Sequence, residues 1–159
     1  MKDLLRLAAE MNSTKKAIFE WCSRRTLEEE FTPLHLAAFK NNLEVIRSLL
    51  MHGADPREKN RFGLSVMHAA AQGDSAAALY FFKIHGSDIN ELDQSGSTPL
   101  HWACYSGSEV ATLFLLAWKP NVSARDSNGQ TPLHLAVKEA DKLGSVSIVR
   151  HLLLSEANP

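Results

Sequence analysis

The chain has 159 residues, 45% of them hydrophobic, enough apolar material for a buried core, which excludes a wholly disordered chain. Seventeen basic residues meet eighteen acidic ones, so no electrostatic footprint for nucleic acid or anionic lipid exists. Cys22 and Cys104 lie far apart without a CxxC pair, which points to a reducing, cytoplasmic setting and no disulfide framework.

In chain order, residues 1–26 predict two short helices. Leu4, Leu5, Ala8 and Met11 have helical spacing, and Asn12 with Ser13 caps a second helix whose Ile18, Trp21 and Cys22 share a face. Charge interrupts the N-terminus before an apolar stretch of signal-peptide length can form. From residue 27 the chain repeats. Thr32-Pro33-Leu34-His35, Ser65-Val66-Met67-His68, Thr98-Pro99-Leu100-His101 and Thr131-Pro132-Leu133-His134 follow one another at a step of 33 residues, which divides the chain into units 27–59, 60–92, 93–125 and 126–159. Each unit predicts a hairpin tip and two helices. The tips are Asn60-Arg61-Phe62-Gly63, Asp93-Gln94-Ser95-Gly96 and Asp126-Ser127-Asn128-Gly129, with Asp or Asn first and Gly fourth. Thr is the N-cap and Pro occupies the first helical turn, where its missing N–H costs nothing. Ala37, Ala70, Ala103 and Ala136 leave room for a neighbouring helix, while Ile46, Leu49, Leu50, Phe81, Phe82, Leu152 and Leu153 fill the layer between helices. One unit cannot bury its own apolar face, so stability must come from stacking.

The departures from this pattern are local. The second unit has Val66 where the others have Pro, and Lys119 and Glu156 replace the helix-ending glycines Gly53 and Gly86. A non-glycine residue held left-handed costs about 1–2 kcal/mol, so these helices are expected to end differently. Four extra residues around Glu139–Gly144 predict either an elongated first helix in the fourth unit or a wider loop, since four residues make about one helical turn. The longest apolar run, Leu113–Trp118, is too short to span a bilayer. Ala157-Asn158-Pro159 matches Ala54-Asp55-Pro56, as if the chain were cut from something longer where the next hairpin would begin.

The 33-residue unit with Thr-Pro-Leu-His, the alanine-rich first helix, the apolar second helix and Gly53-Ala54-Asp55 resembles the ankyrin-repeat family over residues 27–159. The resemblance implies an all-α dominated solenoid of helix-turn-helix pairs joined by short β-hairpin fingers. Residues 1–26 would be a degenerate unit capping one end.

The residues that could carry chemistry have plainer readings. His35, His68, His101 and His134 occupy one helical slot in successive units, where the resemblance implies imidazoles hydrogen-bonded to backbone between units. Helix layers pack about 8–10 Å apart, so these histidines cannot share a zinc that needs nitrogens at about 2 Å. His101 and Cys104 lie one turn apart, but two ligands do not make a site, and Cys104 reads as a buried reduced thiol. No Gly-x-Ser-x-Gly elbow, phosphate loop or HExxH is present, and Glu28-Glu29-Glu30 is a solvated charge run. No metal, cofactor or catalytic residue is expected.

Binding of a protein or peptide remains. The resemblance implies a concave surface made of hairpin tips and first helices, which places Arg61, Phe62 and Leu64 on a tip and Phe39, Lys40, Gln72, Trp102, Tyr105 and Lys138 along the helix face. Trp102 with Tyr105 one turn later is either a platform for a Pro- or aliphatic-containing peptide or, in Trp102, a core filler in the slot of Leu36 and Leu135. Phe62 is an anchor because a hairpin tip offers little to pack against.

Ala70-Ala71-Gln72-Gly73-Asp74, Leu79-Tyr80-Phe81-Phe82-Lys83 and Gly96 through Glu109 are similar to the ankyrin regions of Asp-His-His-Cys (DHHC) palmitoyltransferases, as is the extended helix after Leu135. That resemblance implies a substrate-recruiting domain at the cytoplasmic face of an internal membrane such as the Golgi, with acyl transfer carried by another part of the protein. A free cytosolic adaptor and, third, a self-contained enzyme are the alternatives.

Overall fold

The computed structural model describes residues 31–143 and 146–156. The two expected N-terminal helices and Cys22 lie outside the described residues, as do residues 157–159. Among the described residues eight helices form four pairs: α1 (Pro33–Phe39) with α2 (Leu43–Met51), α3 (Val66–Gln72) with α4 (Ala76–Ile84), α5 (Pro99–Ser106) with α6 (Glu109–Leu116), and α7 (Pro132–Leu143) with α8 (Ser147–Glu156). The first helices stack in one row, α1 on α3, α3 on α5 and α5 on α7, and the second helices form a parallel row behind them.

Each first helix starts at the predicted register. Thr32 and Thr98 accept from the backbone N–H of His35 and His101 through their hydroxyls and, in return, donate their own N–H to the imidazole Nδ1, a reciprocal cap. Ser65 keeps the pairing with its histidine without a following proline: its N–H reaches His68 Nδ1 at 3.2 Å and its hydroxyl the same nitrogen at 3.0 Å, and α3 begins at Val66 regardless. The cap pairing, not the proline ring, therefore sets the start.

Ala37, Ala70, Ala103 and Ala136 are buried in the helix contacts, among Leu34, Ile46, Leu49, Met67, Leu79, Phe82, Leu100, Leu115 and Leu152. Three residues expected in this layer fall short of it. Leu50 and Phe81 are half-buried and Leu153 is exposed, because they sit at the edge of the second helices, where no further layer covers them.

The hairpin fingers are tight turns, and no strand forms among the described residues. In each, one side-chain oxygen gathers two backbone N–H groups: Asn60 Oδ1 takes Phe62 and Leu64, Asp93 Oδ1 takes Ser95 and Ser97, and Asp126 Oδ1 takes Asn128 and Gln130. Gly63, Gly96 and Gly129 supply the left-handed φ that closes the turn. Backbone bonds from Gln94 to Phe62 and from Ser127 to Ser95 tie each tip to the next. With so few paired groups the fingers are too short to extend into a ladder.

The expected difference at the end of the third unit is slight: α6 stops at Leu116, one residue short of the place equivalent to Met51 and Ile84. Lys119 takes the left-handed conformation itself, φ 50°, in the place where Gly53 and Gly86 have φ 92° and 94°, so the lysine bears the strain and the chain path is kept. In the fourth unit α7 runs twelve residues against seven or eight in α1, α3 and α5.

Candidate interaction groove

Spacing of the repeat decides which side chains meet on the face formed by tips and first helices. Two helix slots, one turn apart, point to it: Leu36, Ala69, Trp102 and Leu135 in one, Phe39, Gln72, Tyr105 and Lys138 in the other. Substituting different bulk into equal slots makes the face uneven. Ala69 leaves a hollow of about 250 Å³ walled by Phe31, His35, Leu36, Phe39 and Gln72. A second hollow of about 150 Å³ lies between the third and fourth units, lined by Ser97, His101, Trp102, Tyr105, Asp126 and Leu135.

Trp102 is half-buried, and neither of its two expected roles describes it fully. Its indole N–H donates to Asp93 Oδ2 at 2.9 Å, and its ring meets Tyr105 edge to face, 6.1 Å between centroids at 78°. The other carboxylate oxygen of Asp93 holds the turn. Burial opposes charge on Asp93, but hydrogen bonds from Ser95, Trp102 and Ser97, with His68 nearby, hold its carboxyl below the ordinary range. Asp93 was not among the residues expected here. The available signal was that a tryptophan leaving the core needs a partner for its N–H.

The other expected residues separate by exposure. Phe62 stands at a tip, 44% exposed, with the Arg61 guanidinium 4.8 Å from its ring centre. Lys40 covers Phe39 in the same manner at 5.4 Å. Tyr105 and Lys138 are exposed and Gln72 is half-buried on the helix face. Leu64 must be corrected: it is 4% exposed. Phe62 lies on the turn itself and Leu64 follows the left-handed Gly63 that reverses the chain, so Leu64 turns inward while Phe62 turns out, and the Leu64 carbonyl accepts from His35.

The histidine column is structural. His35, His68 and His101 direct Nε2 to the carbonyls of Leu64, Ser97 and Gln130, each in the next unit, at 3.0–3.1 Å. A carbonyl can only accept, so Nε2 carries the proton. Nδ1 accepts from the cap, and the ring is neutral. Burial lowers the pKa of His68 and His101 from the ordinary value, against backbone hydrogen bonds and nearby carboxylates that raise it. His134, in the fourth unit, keeps its cap at 2.7 Å but is exposed. Burial pushes the Cys104 thiol up to about 12, with only Thr112 opposing it, so the sulfur stays protonated and unreactive.

A third cavity, about 540 Å³, opens at the C-terminal ends of α2 and α4 and is lined by Leu50, Phe81, His85, Asp88 and Glu91 among others. Phe81 and His85 stack in it, 4.2 Å apart. No helix among the described residues is long and apolar enough to cross a membrane. Residues 66–159 match the family model for ankyrin repeats in three copies, and residues 29–61 match the model for a single ankyrin repeat.

Proposed function

The chain belongs to the ankyrin-repeat family and is a protein–protein interaction scaffold, and we propose that it captures an extended segment of a partner protein along the face of tips and first helices. The observation that supports this is apolar surface combined with concavity on one face: Leu36 is 47%, Phe62 44% and Tyr105 52% exposed, and two of them border the hollows. Aromatic rings and Arg on a rigid frame are the residue types that dominate binding energy.

Ankyrin repeats are generally non-catalytic, and the functional reading is therefore recruitment. The finer proposal is that this scaffold is the substrate-recruiting domain of a membrane protein S-acyltransferase, at the cytoplasmic face of an internal membrane such as the Golgi. Its support is the likeness of the segments around Ala70–Lys83 and Gly96–Glu109 to DHHC palmitoyltransferases, and the alternative is a free cytosolic adaptor.

Affinity capture with the 159-residue chain, beside Phe62→Ala and Trp102→Ala variants of equal helical content, tests the groove. Captured partners should be lost at least about tenfold in both variants, as for hot-spot aromatics; undiminished capture by both would move the site elsewhere. Captured proteins rich in S-acylated cysteines support recruitment to acyl transfer, and a set devoid of them favours the adaptor.

A further inference from the structure

Resting on the groove reading, we propose that the partner segment is an extended peptide presenting a lysine or arginine to Trp102 and Tyr105 and an apolar residue to Leu36 and Phe39, about five or six positions apart. The two hollows differ in electrostatics although both are walled by aromatic rings. In the hollow between the third and fourth units, Trp102 and Tyr105 stand nearly perpendicular, two walls of a corner that suits a compact cation. Asp126 lines it, and Asp93 lies behind the indole with its Oδ2 on the ring N–H. Among the described residues that line this hollow there is no lysine or arginine. His101, the remaining titratable group, has its Nε2 proton committed to the Gln130 carbonyl and is neutral.

A cation entering here gains from the ring faces and from two carboxylates. Donating the indole N–H to a carboxylate also enriches the ring electronically, which strengthens its attraction for positive charge. An acidic guest meets repulsion from both aspartates. An aliphatic guest takes the ring contact and leaves the field unused.

The hollow between the first and second units has the opposite character. Among the described residues its lining, Phe31, His35, Leu36, Phe39, Ala69 and Gln72, contains no carboxylate, and the Lys40 ammonium sits 5.4 Å from the Phe39 ring centre. A cation is unwelcome there and an apolar side chain fits. Equivalent slots in the two hollows are two units apart. At about 8–10 Å per helix layer and about 3.3 Å per extended residue, that separation gives the peptide spacing, and the difference in charge gives it a direction.

The test is fluorescence anisotropy on the 159-residue chain with labelled Gly/Ser peptides carrying Leu and, about five residues later, Lys, Glu or norleucine. The Lys peptide should bind about tenfold more tightly than the norleucine peptide, with the Glu peptide weakest. Asp126→Asn should remove much of the Lys preference and keep the turn, since the amide oxygen of Asn60 takes the same two backbone N–H groups at its own tip. Trp102→Ala should abolish it, and bringing Leu and Lys next to each other should weaken binding. Equal affinity for Lys and norleucine, or an unchanged preference in Asp126→Asn, overturns the basic subsite while leaving the groove in place. Failure of every peptide also overturns it, whereas the groove itself is judged separately by protein capture through Phe62.

Discussion

A methyl group on Gly73 would stand 2.0 Å from the Phe39 carbonyl oxygen, and that carbonyl is held in place by the Ser75 hydroxyl at 2.8 Å. Neither side can withdraw without separating the first two units. Gly73→Ala should therefore cost about 3 kcal/mol, the upper part of the overpacking range, whereas Gly86→Ala, with nothing within 4 Å of the added carbon and φ at +94°, should cost about 1 kcal/mol of backbone strain. Urea unfolding of the two variants checks the ordering, and equal losses would remove the steric argument. Lys119 makes the converse case. It holds a conformation that Gly53 and Gly86 reach without a Cβ, so Lys119→Gly should raise stability by about 0.5–1 kcal/mol; a loss of stability would mean that the lysine stem contributes packing. At this scale the sequence reading located the strained position, and its effect is a helix one residue shorter rather than a new path, because the backbone path is dictated by the neighbouring unit rather than by the residue's own preference.

Between elements, two kinds of side-chain bond recur from unit to unit. The imidazole bridges were legible through the family resemblance, which implies backbone-bonded imidazoles at the one helical slot that four histidines share. The bonds at the starts of the second helices were not. Asn41 Oδ1 accepts from Ala78 N and Asp74 Oδ1 from Ala111 N, while Ser75 and Ser108 donate to the carbonyls of Phe39 and Gln72. The residues at the first of these places are Asn, Asp and then Gly107, all left-handed, so the shared backbone shape is visible only in coordinates. The fourth unit uses another link, Ser147 to Glu109. The imidazole bridges make stability depend on pH. His68 and His101 have pKa values lowered by burial, so the unfolded chain takes up protons first as pH falls through about 6.5. Stability is then full above that value and declines below it, toward the lowered pKa of the folded state, by up to about 1.4 kcal/mol per pH unit for each ring. Urea midpoints at pH 7.5, 6.0 and 5.0 should fall steadily, with a shallower slope in His68→Gln; a flat profile would show that these rings charge in place.

For the whole molecule, the order of units was legible because repetition multiplies a weak local signal, and the face proposed for binding followed from the family resemblance. What the step could not supply was the relief of that face, which depends on unlike residues in equal slots: Ala69 opening one hollow, Trp102 and Tyr105 walling another, Leu64 turning inward beside an outward Phe62. The stack also has a mechanical consequence. Helix α5 touches both α3 and α7, and Ala103, fully buried at its centre, sets how closely they approach. No unit buries its apolar face alone, so cooperativity passes through such contacts from neighbour to neighbour. Ala103→Leu adds bulk at the middle of the row, where the overpacking cost of about 1–3 kcal/mol falls on the coupling between units more than on any one helix pair. Urea unfolding followed by circular dichroism should then broaden, with a lower apparent m-value, as the two sides of the array begin to melt apart. A single sharp transition with the original slope and merely a lower midpoint would mean that the four pairs unfold as one body whatever the quality of their central contact.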